Sequence, residues 1–366
     1  MPRIKILIVD DSVVVRRLLS NVLDGDAALE VVGTAPNGKI ALAKISQVHP
    51  DLIVLDVEMP EMDGLETLAA IRKLDGDIPV IMFSALTELG AVATLNALAL
   101  GATDYVTKPH NMKSKEAALE QVRDQLIPKI KAFCKGGNRE NLGKIFLAEN
   151  ERVASRKLLI KSGLLSSNLA ANIKAKVEIV AVGTSTGGPN ALETILQALP
   201  ANFPVPIVIV QHMPPVFTKR LADRLAEKCK MRVEEAVTGS IVEPGVAWIA
   251  PGDYHMVLEK QGFAARIRTN QEARENSCRP SVDVLFRSTA KIYGAGVLGV
   301  VLTGMGQDGL HGCQNIRDAG GKIIVQDELS SVVWGMPGSV ANSGFADRVV
   351  SLQDMAREII DRVSSY

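Results

Sequence analysis

At 366 residues, with 47% hydrophobic and 22% charged side chains, the chain is long enough for two cores and has ordinary globular composition, which excludes overall disorder. Lys+Arg and Asp+Glu are both 41, a balance that argues against a dedicated nucleic-acid or membrane-surface binder. The four cysteines, Cys134, Cys229, Cys278 and Cys313, form no C-x-x-C pair, so neither a zinc site nor a disulfide framework is indicated and a reducing cytoplasm is expected. The apolar run in "MPRIKILIVDD" is too short for a signal-peptide core, and no segment reaches the roughly 18 apolar residues of a membrane span.

From 1 to 130, five short apolar runs alternate with helical stretches: "KILIVDD", "LEVVGTA", "DLIVLDVEMP", "PVIMFSA" and "DYVTKP". The first helix has Ser12 as its expected N-cap and Val14, Val15, Leu18, Leu19 and Val22 as its expected inward face. Five βα units imply an α/β, flavodoxin-like domain with a doubly wound parallel sheet. Residues 131–176 break the rhythm and read as an interdomain linker; from 135 they carry nine Lys/Arg against three Asp/Glu. From 177 to 366 the alternation resumes with "VEIVAVG", "VPIVIVQH" and "VLGVVLTGMG", giving a second doubly wound, mostly parallel αβα domain with a β-rich insert near 233 to 268.

In the first half, Asp10 and Asp11 end the first strand, Asp56 the third, Ser84 the fourth and Lys108 the fifth. The carboxyl ends of an open parallel sheet converge on one crevice, and three carboxylates there call for a hard cation such as Mg²⁺. With the metal and Lys108 neutralising charge, Asp56 is a phosphoryl acceptor and Ser84 a hydroxyl for the new phosphate oxygens. This set, with "LDVEMPEMDG" and "KP", resembles the receiver domain of two-component response regulators. The resemblance implies that a partner histidine kinase phosphorylates Asp56, that Asp10, Asp11, Asp56 and the Glu58 carbonyl surround Mg²⁺, and that Tyr105 is the switch aromatic.

In the second half, "GTSTG" places Ser185 between a strand's carboxyl end and a helix's amino end, where free backbone N–H groups serve either a phosphate or an oxyanion. A serine hydroxyl needs a base, and the base needs a carboxylate. His212 ends the strand "VPIVIVQH", and Asp308 follows "VLGVVLT" through a glycine-rich turn, so three catalytic residue types occupy three strand ends. His255 and His311 are the fallback bases. The phosphate-cradle reading of 183 to 188 lacks a following lysine of the P-loop kind.

The order Ser185, His212, Asp308 differs from that of the α/β-hydrolases. Together, "GTSTGGPNAL", "VQHMP", "APGDYH", "RPSVDVLFRS", "LTGMGQDG" and "GMPG" resemble the catalytic domain of the chemotaxis protein-glutamate methylesterases, the CheB family. The resemblance implies a Ser185 nucleophile, a His212 base and acid, an Asp308 orienting carboxylate, and oxyanion donors at the Met305 and Thr186 N–H groups. Chemotaxis receptors would be the substrates and a chemotaxis-type sensor kinase the phosphodonor; the esterase chemistry needs no cofactor, nucleic acid or membrane insertion. Two departures stand beside the cleft: Cys278 replaces the family's usual histidine, and Trp334 a smaller aromatic. The competing function, a receiver-controlled DNA-binding regulator, requires a basic recognition helix, whereas residues 177–366 are net −2.

Overall fold

The structure, a computed structural model, describes residues 2–109, 114–134 and 176–364. The first unit runs β1 (Ile4–Val9), α1 (Val13–Asp24), β2 (Leu29–Ala35), α2 (Gly38–Val48), β3 (Leu52–Asp56), α3 (Gly64–Leu74), β4 (Val80–Ser84), α4 (Glu88–Ala99), β5 (Asp104–Thr107) and α5 (Lys115–Cys134). Its strands pair in parallel in the order β2-β1-β3-β4-β5. Alternation along a strand sends Ile6 and Ile8 toward the α1 and α5 side, with Leu19, Val122 and Leu126, and Leu7 and Val9 to the opposite core. Ser12 Oγ caps α1 by accepting from the Val15 N–H. The inward face of α1 differs from expectation at one residue: Val14 is exposed, and Leu23 joins Leu19 and Val22 inside. At 100° per residue, a face centred on Leu19, Val22 and Leu23 leaves Val14 on the far side. The first four residues of the expected linker, 131–134, continue α5, and residues 135–175 lie outside the described residues.

The second unit runs β6 (Ile179–Thr184), α6 (Gly188–Ala198), β7 (Ile207–Gln211), α7 (Phe217–Lys228), β8 (Arg232–Glu235), β9 (Val246–Ile249), β10 (His255–Gln261), β11 (Ala264–Asn270), α8 (Val282–Tyr293), β12 (Val297–Val301), α9 (Leu310–Asp318), β13 (Lys322–Gln326), α10 (Met336–Asn342), β14 (Arg348–Val350) and α11 (Leu352–Ser364). Seven strands form one parallel sheet in the order β14-β13-β12-β6-β7-β9-β8. The expected β-rich insert is smaller than 233 to 268. β8 and β9 belong to the main sheet, β8 at its edge and β9 between β8 and β7, and the antiparallel hairpin β10–β11 stands apart. The chain leaves β6 toward β7 on one side and returns through β12 on the other. The switch point of the sheet therefore lies at the carboxyl end of β6, where open α/β sheets bind their ligands.

One apolar cluster runs through both units, from Leu95, Leu98 and Tyr105 of the first to Phe217, Leu221 and Ile195 of the second. Tyr105 and Phe217 stack with ring centroids 5.1 Å apart. Arg220 pairs with Glu88 at 2.6 Å, and Arg224 donates to the Asn96 side chain at 2.8 Å. No helix among the described residues is long and apolar enough to cross a membrane.

Candidate active site

The first cluster sits at the carboxyl ends of β1, β3 and β5. Asp10, Asp11 and Asp56 bring carboxylate oxygens within 4.8 Å of one another. Lys108 Nζ lies 2.8 Å from Asp56 Oδ1 and 3.1 Å from Asp10 Oδ2. Burial pushes the Asp56 carboxyl up to about 6, Asp10 adding to the shift and Lys108 opposing it. Among the described residues, buried Asp56 Oδ2 has no hydrogen-bond partner, and Asp10 Oδ2 has only its ion pair with Lys108. Two such acceptors within one carboxylate cluster suit a hard cation. Glu58 is exposed two residues beyond Asp56. The Ser84 hydroxyl is turned toward α4, donating to the Gly90 carbonyl at 3.1 Å. Tyr105 is buried against the second unit rather than free at the surface.

The second cluster sits at the carboxyl ends of β6, β7 and β12. His212 Nε2 lies 2.8 Å from Asp308 Oδ2. Asp308 is at the amino end of α8. Its Oδ2 accepts from the Val282 N–H (2.7 Å), and its Oδ1 from the N–H groups of Asp283 (3.1 Å) and Gly309 (3.1 Å), Ser281 Oγ (2.9 Å) and Asn276 Nδ2 (2.9 Å). The free N–H groups of a helix's first turn favour an anion. Burial opposes ionisation most, yet the His212 bond and these N–H groups bring Asp308 down to about 2. Burial likewise opposes charge on His212, while Asp308 and Cys278 raise it to about 10.

Ser185 is half-buried in the turn between β6 and α6, and its neighbours fix that turn. The His212 N–H donates to the carbonyl of Thr184, and Gln211 Nε2 to the carbonyl of Ser185 at 2.9 Å. Gly187 has φ 78°, the left-handed region that glycine enters without cost. Gly304 lies against the serine so closely that a Cβ there would stand 2.9 Å from Ser185 Cβ. Among the described residues the Ser185 hydroxyl makes no hydrogen bond, and the Thr186 and Met305 N–H groups have no partner. The other ring nitrogen of His212, Nδ1, faces Cys278 Sγ at 3.7 Å.

The fallback histidines take other places. His255 is buried in β10, with Nε2 on the Ala273 carbonyl at 3.0 Å and Nδ1 accepting from the Ser281 N–H, a satisfied core histidine. His311 lies in the first turn of α9. Trp334 donates its indole N–H to the Gln326 carbonyl at 3.1 Å. Sequence reasoning missed Asn276, Ser281 and the α8 amino end around Asp308, because that helix is some 26 residues upstream. It also missed where the two units meet: Thr186 Oγ1 donates to Asp104 Oδ2 at 2.8 Å, and Asn190 Nδ2 to the Leu98 carbonyl at 2.9 Å, so β5 and α4 press on the loop that carries Ser185.

Residues 180–359 match the family model described as CheB methylesterase, and residues 6–120 that of the response regulator receiver domain. A protein-glutamate methylesterase/protein-glutamine glutaminase of Trichodesmium erythraeum is 58% identical over 363 residues, covering 99% of this chain and all of that one. Another, from a Nocardioides species, is 46% identical over 100% of this chain and 96% of its own. Among solved structures, the Thermotoga maritima CheB methylesterase catalytic domain superposes with TM-score 0.50 at 42% identity, covering 51% of this chain and 99% of that domain.

Proposed function

The chain belongs to the CheB methylesterase family, with a response regulator receiver domain in front, and on that premise we propose that Ser185, His212 and Asp308 carry its ester hydrolysis. It is a phosphorylation-controlled protein-glutamate methylesterase, and protein-glutamine glutaminase activity is the same chemistry on an amide. The observation that carries the residue assignment is the His212–Asp308 pair at 2.8 Å, drawn from the strand ends on either side of β6, whose own end holds Ser185. Asp308 occupies Nε2, which leaves Nδ1 to take the serine proton. Ser185 Oγ attacks the side-chain ester carbonyl; the tetrahedral oxygen is received by the unpartnered N–H groups of Met305 and Thr186; methanol leaves with the proton held by His212. Water, deprotonated by the same ring, then releases glutamate. An apo hydroxyl without a bond to its base is ordinary, since such contacts tighten when substrate binds.

The substrates are methylated glutamates on methyl-accepting chemotaxis receptors, so the protein works in the cytoplasm without entering the membrane. In the receiver domain, Asp10, Asp11, Asp56 and the Glu58 carbonyl would hold Mg²⁺, a fit supported by the orphaned Asp56 oxygen. The ion supplies charge neutralisation for the incoming phosphoryl group. Asp56 accepts that group from a chemotaxis-type histidine kinase. Ser185→Ala should abolish release of labelled methanol from methylated receptor membranes while leaving Asp56 phosphorylation intact; undiminished release would overturn the assignment.

A further inference from the structure

His212 Nδ1, the nitrogen needed by the serine, faces a thiol. Cys278 Sγ, His212 and Asp308 form a continuous line, with 3.7 Å from sulfur to Nδ1 and 2.8 Å from Nε2 to the carboxylate. That is the arrangement of a thiol nucleophile, its base and the group that steadies the base. The placement is built by the fold. Cys278 closes a tight turn by exchanging backbone hydrogen bonds with Glu275, and the turn's two central residues, Asn276 and Ser277, both have positive φ. Asn276 fastens the turn by donating to both Asp308 and Asp283.

The other cysteines lack this setting. Burial, aided by Asp51 and Glu193 respectively, pushes the Cys134 and Cys229 thiols up to about 11, and Cys313 is fully buried. Cys278 is half-buried, and it alone of the described cysteines has its sulfur against an imidazole nitrogen, 3.7 Å from His212 Nδ1.

We propose that Cys278 is a modification site wired to the esterase base, at which a hydroperoxide or an alkylating electrophile switches the enzyme off. In the fraction of molecules whose His212 ring is neutral, the thiol proton passes to Nδ1. The sulfur lone pair forms an S–O bond as the O–O bond breaks, and the departing hydroxide takes the proton from Nδ1 to become water. Sulfur is oxidised to the sulfenic acid and the peroxide is reduced. Two equivalents of a thiol reductant return Cys278, yielding a disulfide of the reductant and water. While oxidised, Cys278 holds its new oxygen against Nδ1, the position that must receive the Ser185 proton. The inhibitory half of the proposal rests on the esterase reading; the reactivity half does not.

The test uses the full-length chain. Under native labelling with iodoacetamide, read by peptide mass, Cys278 should react at least about tenfold faster than Cys134 or Cys229. His212→Gln should remove that advantage and Asp308→Asn should reduce it, with unlabelled Cys313 reporting an intact fold in each. Hydrogen peroxide should lower methanol release in step with sulfenic acid trapped at Cys278, and dithiothreitol should restore it. Cys278→Ser, whatever its starting activity, should lose none to peroxide. Equal labelling of the three cysteines, or labelling of Cys278 that H212Q leaves unchanged, overturns the coupling. Peroxide loss in C278S equal to that of the parent overturns the switch. An untreated protein that releases no methanol sinks the esterase reading instead, and the labelling arm still decides the thiol.

Discussion

Asp308 is held at the foot of α8 by donors that leave it no choice of position, and His212 inherits both its orientation and its charge preference from that carboxylate. A ring raised to about 10 spends neutral pH as an imidazolium, and an imidazolium cannot take the Ser185 proton. The sign follows: the neutral fraction grows as pH rises, so methanol release by the full-length protein should climb through the alkaline range, with an inflection well above the ordinary histidine value of about 6.5. Removing the thiol's share of the shift with Cys278→Ser should move that inflection down. A pH–rate profile that levels off at or below pH 6.5 in the parent protein contradicts this account of the ring. That Ser185, His212 and Asp308 stand at neighbouring strand ends was legible in the sequence, because each follows an apolar strand run. Which imidazole nitrogen meets which partner was not, since Asn276, Cys278 and Val282 converge on His212 and Asp308 from a segment far away in sequence, which the motif "RPSVDVLFRS" marks without saying which atoms it meets.

At the scale of elements, the site depends on two backbones approaching more closely than side chains permit. The β12–α9 loop crosses the β6–α6 turn at Gly304, where an added methyl would stand 2.4 Å from Met336 Sδ, 2.9 Å from Ser185 Cβ and 3.1 Å from the Ser185 nitrogen. Gly304→Ala must therefore push the serine turn aside, and a displacement of that order costs about 10²-fold in rate. Methanol release should fall by about that factor with Asp56 phosphorylation unchanged; retention of full activity would show the turn to be free of the loop. Parallel strands covered on both faces read as unbroken apolar runs, which is why β6, β7 and β12 were plain in "VEIVAVG", "VPIVIVQH" and "VLGVVLT". β8 and β9 are four residues each, and nothing local says whether so short a run joins the main sheet or a separate ribbon. The exposed Val14 has the same origin: the face of α1 is chosen by α5 and β1.

The whole molecule is joined so that Asp56, the proposed phosphoacceptor, and Ser185 lie on opposite sides of one contact. Lys108, bonded to Asp56, follows directly on β5; three residues earlier, Tyr105 stacks on Phe217 of α7, and Asp104 accepts from the Thr186 hydroxyl beside Ser185. Asp104 also holds Lys129 at 2.5 Å, so the contact is tied into α5 as well. On the proposed phosphorylation, a phosphoryl group on Asp56 would compete for Lys108 and alter the charge at the end of β5, biasing the docked arrangement against an undocked one. The exposed Glu88–Arg220 pair adds no more than about 1 kcal/mol to docking, leaving the balance within reach of a single modification. Deleting residues 1–134 should therefore raise basal methanol release, by about tenfold if docking is worth about 1.4 kcal/mol, and Asp56→Asn should leave the intact chain at its low basal rate when a small phosphodonor is supplied. A deletion protein that folds yet hydrolyses no faster than the intact chain would mean that β5 and α4 rest on the Ser185 loop without obstructing it.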